Sequence, residues 1–440
     1  MVDILKITRY HYSVSKLCLK GEFMKNNICV CFYEDEKSNS FYPLTLTRPV
    51  HELVCGTRSI KQRVLDILKP KKENVFHIIR EELQSVYGVK NKIGIPDSDT
   101  LFINSRLLLP DFLKEIKFDK ECVYTVNGET AAFFLKKKIL KKESYSGFSF
   151  LFEEVVNVLE QKHVDGIMVN YLWELVDLMP DLTAYDFNNF YESNIHGDFS
   201  VASVIHGDSN LVYCAENSNV HAFVELDTMN GPVIIEQGAE IHSFTRIEGP
   251  SYIGRNAIVL GAKIRSGSYI GENCRAGGEV ENSIMLANSN KYHEGFLGHS
   301  YVGEWVNLGA LTTNSDLKNN YETVDVMLDG VKTDTGTIKA GCYIGDHSKT
   351  SIGCLLNTGT YIGAMCNLLA SGGLLPKYLP SFSNYAKDRF LKSFPLKSLF
   401  ETASTVKQRR GNVFTDEEKT LFEDIFNRTK AKRDKLRGRS

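Results

Sequence analysis

In the second half of this chain Ile235, Ile241, Ile247, Ile253 and Val259 recur every six residues, and Ile264 and Ile270 resume the interval after a slip of one. An α-helix repeats about every 3.6 residues and a strand every two, so neither element generates that spacing. A six-residue period marks a hexapeptide repeat, the signature of a parallel β-helix whose stacked coils share one apolar interior. The pairs Ile253-Gly254, Ile270-Gly271, Ile344-Gly345 and Ile362-Gly363 suit it: the aliphatic side chain fills the interior and glycine allows the tight corner. The competing reading is a β-sandwich with chance spacing, and five consecutive matches argue against it.

Two stretches break the pattern. Residues 279–298 are polar and irregular, and 325–341, DVMLDGVKTDTGTIKAG, predict a hairpin turning at Asp329-Gly330. Insertions into a solenoid commonly sit on one face and line a site. Past Tyr385 the repeat ends, and SLFETASTVKQRR and TDEEKTLFEDIFNRTKAKR predict two helices, the second opening on a capping box of Thr415 and Glu418. The basic end, 428–439, is most simply a solvated helix terminus that complements the dipole.

Upstream, β-rich runs at 28–33, 99–103 and 122–126 alternate with helical patterns at 59–68 and 150–161. That alternation predicts an α/β layer domain with a largely parallel sheet, whose ligands sit at strand C-terminal ends. For 440 residues two or three domains are expected. The boundaries expected are 1–23 for an extension or a misassigned start upstream of Met24, 24–200 for the α/β domain, 201–384 for the solenoid and 385–440 for a helical tail.

Composition limits the function classes. A net charge of −2 with 24% charged residues leaves no global footprint for nucleic acid or an anionic membrane. No apolar run reaches the roughly 18 residues of a membrane-spanning helix, and the first 23 residues lack a secretory pattern. A cytoplasmic protein without nucleic-acid or membrane partners is expected. The ten cysteines are not needed as staples in a chain this long, so a reduced state is the default. Cys29 and Cys31 complete no zinc-ligand spacing.

Longer strings carry a resemblance: FYEDE followed by PLTLTRPVHEL, then KYHEGFLGHSYVGEWVNLGALTTNSDLKNNY, GDHSKT and NTGTYIG. With the order α/β domain then hexapeptide helix, they resemble a divergent archaeal and bacterial branch of the bifunctional N-acetylglucosamine-1-phosphate uridylyltransferase/glucosamine-1-phosphate acetyltransferase family. The resemblance covers nearly the whole chain from Met24. It implies an α/β nucleotidyltransferase-like (Rossmann-like) N-terminal domain, a left-handed parallel β-helix, a helical tail and a homotrimer with active sites between neighbouring solenoids. The left hand is implied by the family and not by the period. Implied too are acetyl transfer from acetyl-CoA to an amino-sugar phosphate, and Mg²⁺-dependent nucleotidyl transfer from an NTP.

The segment HEGFLGHSYVGEWVNLGALT is similar, without a gap, to the family's acetyltransferase site, where a histidine stands fourteen residues before an asparagine; here these are His293 and Asn307. An ammonium nitrogen has no lone pair to attack a thioester, and an imidazole is suited to take its proton near neutral pH. Donors for the oxyanion are expected from backbone N–H groups or from Asn307 and Asn314. Arg265, Lys291 and Lys318 are candidates for phosphate binding, and Asp346 and Ala364 fall near the family's CoA pocket. The bland alternative for each charged residue is a solvated surface group. His299 and His347 are weaker candidates, each suited equally to a structural hydrogen bond at a coil corner.

The N-terminal domain departs from the family's pattern. Glu36, Ser38 and Ser40 stand where the glycines and arginine of the phosphate loop belong, and FINSR puts Arg106 at or near the metal-binding Asp. Glu34, Asp35 and Glu36 would repel a triphosphate unless Mg²⁺ bridges them. Arg48 is either a phosphate contact or an ion-pair partner of Glu52. Two rival functions therefore stand beside the bifunctional one: a nucleotidyltransferase whose β-helix only assembles the oligomer, and a non-catalytic sugar-nucleotide-binding regulator.

Overall fold

A computed structural model describes residues 28–88, 98–370 except 141–155, and 372–438. The N-terminal expectation for 1–23 and the first half of the helix expected over 150–161 lie outside the described residues; the second half is a short 3-10 turn, Val156–Val158, followed by the strand Gln161–His163. The chain divides into two compact units: residues up to 170, less two short segments, and Tyr171–Ser440 together with Ser40–Thr47 and Val54–Thr57.

The first unit is a six-stranded mixed sheet of β1 (Cys29–Tyr33), β2 (Val75–Ile78), β3 (Thr100–Asn104), β4 (Cys122–Val126), β5 (Glu129–Leu135) and β6 (Gln161–His163), in the order β2-β1-β3-β5-β4-β6. Only β5 runs against its neighbours. It is turned back by Asn127-Gly128, both at positive φ (50° and 82°), a two-residue hairpin connection. β1 is buried on both faces because its side chains enter two apolar clusters, Val30 and Phe32 on one side, Cys31 and Tyr33 on the other. Helix α1 (Ile60–Leu68) forms where expected, with the Ser59 side chain accepting the Gln62 N–H and Val64 and Leu68 facing the core.

The two compact units divide at 170/171, inside the stretch expected as the α/β domain, while the first solenoid strand begins at Asn194. Helices α2 (Leu172–Asp177) and α3 (Met179–Phe190) belong with the solenoid: Trp173 meets Tyr343 edge-on, and Asp186 accepts from the N–H and hydroxyl of Thr57.

The second unit is a left-handed parallel β-helix. One of its faces is a ladder of ten parallel strands from Asn194–Ile195 to Tyr378–Leu379. The six-residue steps walk around it: Ile235 stacks under Ile253 and Ile270, Ile241 under Val259, and Ile247 under Ile264, all fully buried. The one-residue slip is the long strand Ile258–Ile264, which turns its corner at Gly261 with φ +52°.

Residues 279–298 do not interrupt the solenoid. The strands Arg275–Glu281, Ile284–Met285, Asn290–Lys291 and Phe296–Gly298 continue the parallel ladders. The apolar period fades there because Ala276 and Lys291 occupy the inward column that Ile241 and Val259 hold below. The 325–341 insertion is the expected hairpin, Asp325–Leu328 against Val331–Asp334 about Asp329-Gly330.

Helices α4 (Leu396–Gln408) and α5 (Asp416–Arg437) follow, α5 opening on the complete Thr415/Glu418 capping box. One corner column of the solenoid changes from Asn256, Asn273 and Asn288 to Trp305, His347, Met365 and Phe382, all at positive φ. Bulky residues are costly in that conformation. The C-terminal helical region covers them: His347 meets Phe414 and Phe422, and Phe382 meets Phe426. The nine described cysteines are buried and free, and among the described residues no helix is long and apolar enough to cross a membrane.

Candidate functional site

On one face of the solenoid, adjacent coils place Arg275, Asn290 and Asn307 in one outward column. Together with Tyr292, His293, Leu308, Gly309, Ala310 and Ile352 they line a cleft of about 430 Å³. His293 and Asn307 therefore meet, as expected. The His293 imidazole is exposed, stands edge-on to Tyr292 with ring centroids 5.6 Å apart, and has no hydrogen-bond partner among the described residues.

The Asn307 amide is oriented by a relay. Arg410, two residues beyond α4, donates to Asn290 Oδ1 at 3.3 Å, and Asn290 Nδ2 donates to Asn307 Oδ1 at 3.4 Å. A guanidinium can only donate, so it fixes which way both amides point and leaves the Asn307 NH₂ for an acceptor in the cleft. Arg275 donates through one nitrogen, Nη1, to the carbonyls of Asn256, Asn273 and Cys274. Burial and the neighbouring Arg410 charge hold its pKa below the usual guanidinium value. Two cations side by side without a carboxylate bridge make this end of the cleft a place for an anion.

Beneath His293 lies Lys291, 2% exposed, in the solenoid interior. Its ammonium donates to the carbonyls of Gly277 (2.8 Å) and His293 (3.0 Å). Burial pulls its pKa down to about 8, although Glu294 and Glu279 act the other way. Gly278, at φ +66°, makes room: a Cβ there would stand 2.9 Å from the Lys291 nitrogen and 2.8 Å from the Gly295 carbonyl. Lys291 thus braces the main chain of His293 and cannot reach a ligand in the cleft.

The other expected site residues lie elsewhere. Asn314 points inward, 5% exposed; its Oδ1 accepts the Gly298 N–H and its Nδ2 serves the Gly298 and Ser315 carbonyls, so nothing remains for an oxyanion. Arg265 is spread over Glu248, Glu279 and Glu281 on the surface. Lys318 braces the hairpin through the Thr323 carbonyl and Asp325. Asp346 is a corner residue accepting from the Glu304 N–H and the Thr47 hydroxyl, and Ala364 is fully buried. His299 is bonded to Asp316 at 2.7 Å, and His347 is packed among aromatic rings.

Sequence reasoning missed Arg275, Asn290, Tyr292, Ile352 and Arg410. Coil spacing could have found the first two, which precede Asn307 by 32 and 17 residues in its own column. Arg410 comes from outside the repeat and leaves no periodic signal.

In the α/β unit the charges at the ends of β1 and β3 are spent on one another. Glu34 binds the Arg80 guanidinium and accepts the Val50 N–H. Arg106, 2% exposed, sits between Asp35 (2.8 Å) and Glu129 (2.5 Å) and also reaches the Val169 carbonyl and Asn170. Burial opposes its charge, and the two carboxylates more than offset that, raising its pKa. A dication at Asp35 and Glu129 would face this fixed cation, so the described residues do not fit Mg²⁺. Arg48 is itself buried, with its carbonyl accepting from Arg80, and Glu52 pairs with Lys61.

Residues 30–194 match the sequence model of a family described as sugar nucleotidyl transferase. A bifunctional sugar-1-phosphate nucleotidylyltransferase/acetyltransferase of Sulfurisphaera tokodaii is 35% identical over 170 residues, 36% of this chain and 40% of the relative. The bifunctional protein GlmU of Acidovorax sp. is 27% identical over 159 residues, 33% of each chain. GlmU of Methanococcus vannielii is 23% identical over 403 residues, 80% of this chain and 95% of the relative. The chain thus spans 40% or less of the first two relatives' length. Among solved structures, an Arabidopsis UDP-N-acetylglucosamine acyltransferase shares 11% identity over 53% of this chain and 92% of its own, with a TM-score of 0.16, too low to argue from. The chain is thus similar, over its N-terminal part, to sugar nucleotidyl transferases and, over parts of its length, to proteins named bifunctional sugar-1-phosphate nucleotidylyltransferase/acetyltransferase.

Proposed function

We propose that the solenoid cleft transfers acetyl from acetyl-CoA to the amino group of an amino-sugar phosphate. His293 removes a proton from the substrate ammonium, freeing the nitrogen lone pair to attack the thioester carbonyl. The oxyanion that forms on that carbonyl accepts from the Asn307 NH₂. Its collapse breaks the carbon–sulfur bond, the CoA thiolate takes the proton from the His293 imidazolium, and the second proton on the acylated nitrogen is lost to solvent, leaving the neutral amide. Arg275 is the contact for the sugar phosphate. The observation that carries this reading is that His293 and Asn307 share one open cleft with hydrogen-bonding capacity unspent, while the cations beside them form no ion pair with a carboxylate among the described residues.

The cleft is open to one side, which suits completion by a neighbouring solenoid in a homotrimer; light scattering of the purified chain tests that assembly. In the α/β domain the acidic groups Glu34 and Asp35 are closed by Arg80 and Arg106 and are not available to a metal-assisted nucleotidyl step. In this reading the domain recognises the sugar nucleotide.

The decisive assay incubates the protein with acetyl-CoA and glucosamine-1-phosphate or galactosamine-1-phosphate, with and without UTP or dTTP, reading free thiol and pyrophosphate separately. His293→Ala is expected to lower thiol release by about 10²- to 10⁴-fold with an unchanged circular-dichroism spectrum. Pyrophosphate release that persists at the parent rate in that variant, without thiol in either protein, would establish the rival nucleotidyltransferase with a structural β-helix.

A further inference from the structure

Two to four coils nearer the N-terminus, the face that carries the cleft holds a second group of side chains. The strand Asn219–Val220 pairs in parallel with Glu240–Ile241, and Val220 and Ile241 point inward. Alternation then sends Glu240, His221 and His242 outward. The two histidines are stacked one coil apart, their main chains held by His221 N–H to the Ile241 carbonyl and His242 N–H to the Val259 carbonyl. Their rings stand 4.7 Å apart between centroids, and both Nε2 atoms face the same Glu240 oxygen, at 3.2 Å from His221 and 3.5 Å from His242.

We propose that His221, Glu240 and His242 form a Zn²⁺ site. Ligand atoms about 2.0–2.2 Å from a tetrahedral zinc stand about 3.3–3.5 Å from one another, and the two measured nitrogen–oxygen separations, 3.2 and 3.5 Å, have that size. All three ligand atoms lie within 4.8 Å of one another. Two imidazoles and one carboxylate favour a borderline cation over Mg²⁺ or Ca²⁺, which take oxygen ligands. The three side chains are 30–38% exposed, so an ion can enter without unfolding. Among the described residues three His or carboxylate ligands converge, leaving the fourth position to water or to Asn219, whose amide stands 3.2 Å from His221 Nε2 and presents oxygen if turned over. The ladder fixes the donors in advance, so the ion joins two coils that main-chain hydrogen bonds already hold in register.

The test is calorimetric titration of the untagged, chelator-treated full chain with ZnCl₂, with MgCl₂ as control. One saturable zinc site per chain is expected, and no magnesium heat. His221→Ala and His242→Ala each should weaken binding by more than the about 10- to 100-fold typical of losing an outer partner, with unchanged circular dichroism and acetyl transfer. Glu240→Gln keeps a hydrogen-bonding side chain in the ladder while removing its charge, and should weaken zinc in the same direction. Co²⁺ should give the intense visible bands of a four-coordinate ion. Absence of saturable binding, or equal binding in both histidine variants, overturns the site.

Discussion

The α/β domain and the solenoid both gather charge, and they treat it in opposite ways. Around Arg106 every strong donor meets a carboxylate or carbonyl within the unit, with Asp35, Glu129, Asn170 and the Val169 carbonyl all converging on one guanidinium. In the solenoid cleft Arg275 and Arg410 bond to carbonyls and an amide and form no ion pair with a carboxylate among the described residues, while His293 and the Asn307 NH₂ are left open. A closed network stabilises a fold, and an open one costs stability and is available to a ligand. A domain's resemblance to an enzyme family is therefore a weaker guide to its chemistry than the state of its donors.

The comparison breaks first at Arg106. If its network is structural, Arg106→Met leaves Asp35 without its cation and Glu129 with Lys37 alone, and the α/β domain should lose about 3 kcal/mol. Urea unfolding followed by a probe in that domain measures this, and acetyl transfer per folded molecule should be unchanged. Retained stability together with new Mg²⁺-dependent pyrophosphate release would show instead that Arg106 plugs a catalytic site.

How much of this was legible in the sequence depends on what each residue faces. The six-residue period placed Ile235 through Ile270 in the core because an aliphatic residue at every inward position leaves a visible beat. The beat fails at Lys291, which is inward and polar, so 279–298 reads as an insertion, and it fails again further on at the inward, polar Asn314 and Thr350. Those three make hydrogen bonds to main-chain groups that the coil could not otherwise satisfy, Thr350 for instance accepting the Gly309 N–H. The motif found His293 and Asn307 but could not separate Asn307 from Asn314, since both are asparagines in one conspicuous string. Only the pleat decides that the first faces out and the second in. FINSR singles out Arg106, while its closure by Glu129 depends on the Asn127-Gly128 hairpin, which the sequence reading did not use.

Lys291 sharpens the contrast within the solenoid itself, where Val259 in the same column has no charge to accommodate. Its folded pKa of about 8 lies below the ordinary 10.5, so between those values the unfolded chain binds more protons than the folded one. Stability should therefore rise with pH across that window, by up to about 3 kcal/mol from this group, and the penalty is fully present below it. Lys349, also lowered to about 8 by burial, adds the same trend. The difference between wild type and Lys291→Met in urea unfolding at pH 7.5 and 10 isolates Lys291: the variant should lose that share of the rise. Identical pH slopes would place the ammonium in water.

The smallest effect expected comes from Arg410, which acts through Asn290 and not on the reacting atoms. Without it the Asn290 amide can turn over, and Asn307 then has no fixed orientation for its NH₂. A hydrogen bond to a charged group is worth about 1.5 kcal/mol at the low end, which converts to roughly tenfold in rate. Arg410→Ala should thus lower kcat about tenfold with KM for the sugar phosphate nearly constant, because an oxyanion contact exists only in the transition state. A raised KM at constant kcat would reassign Arg410 to the phosphate beside Arg275. Asn290→Ala separates the two: it should reproduce the kcat loss if the relay operates, and leave both parameters near wild type if Arg410 meets the substrate directly.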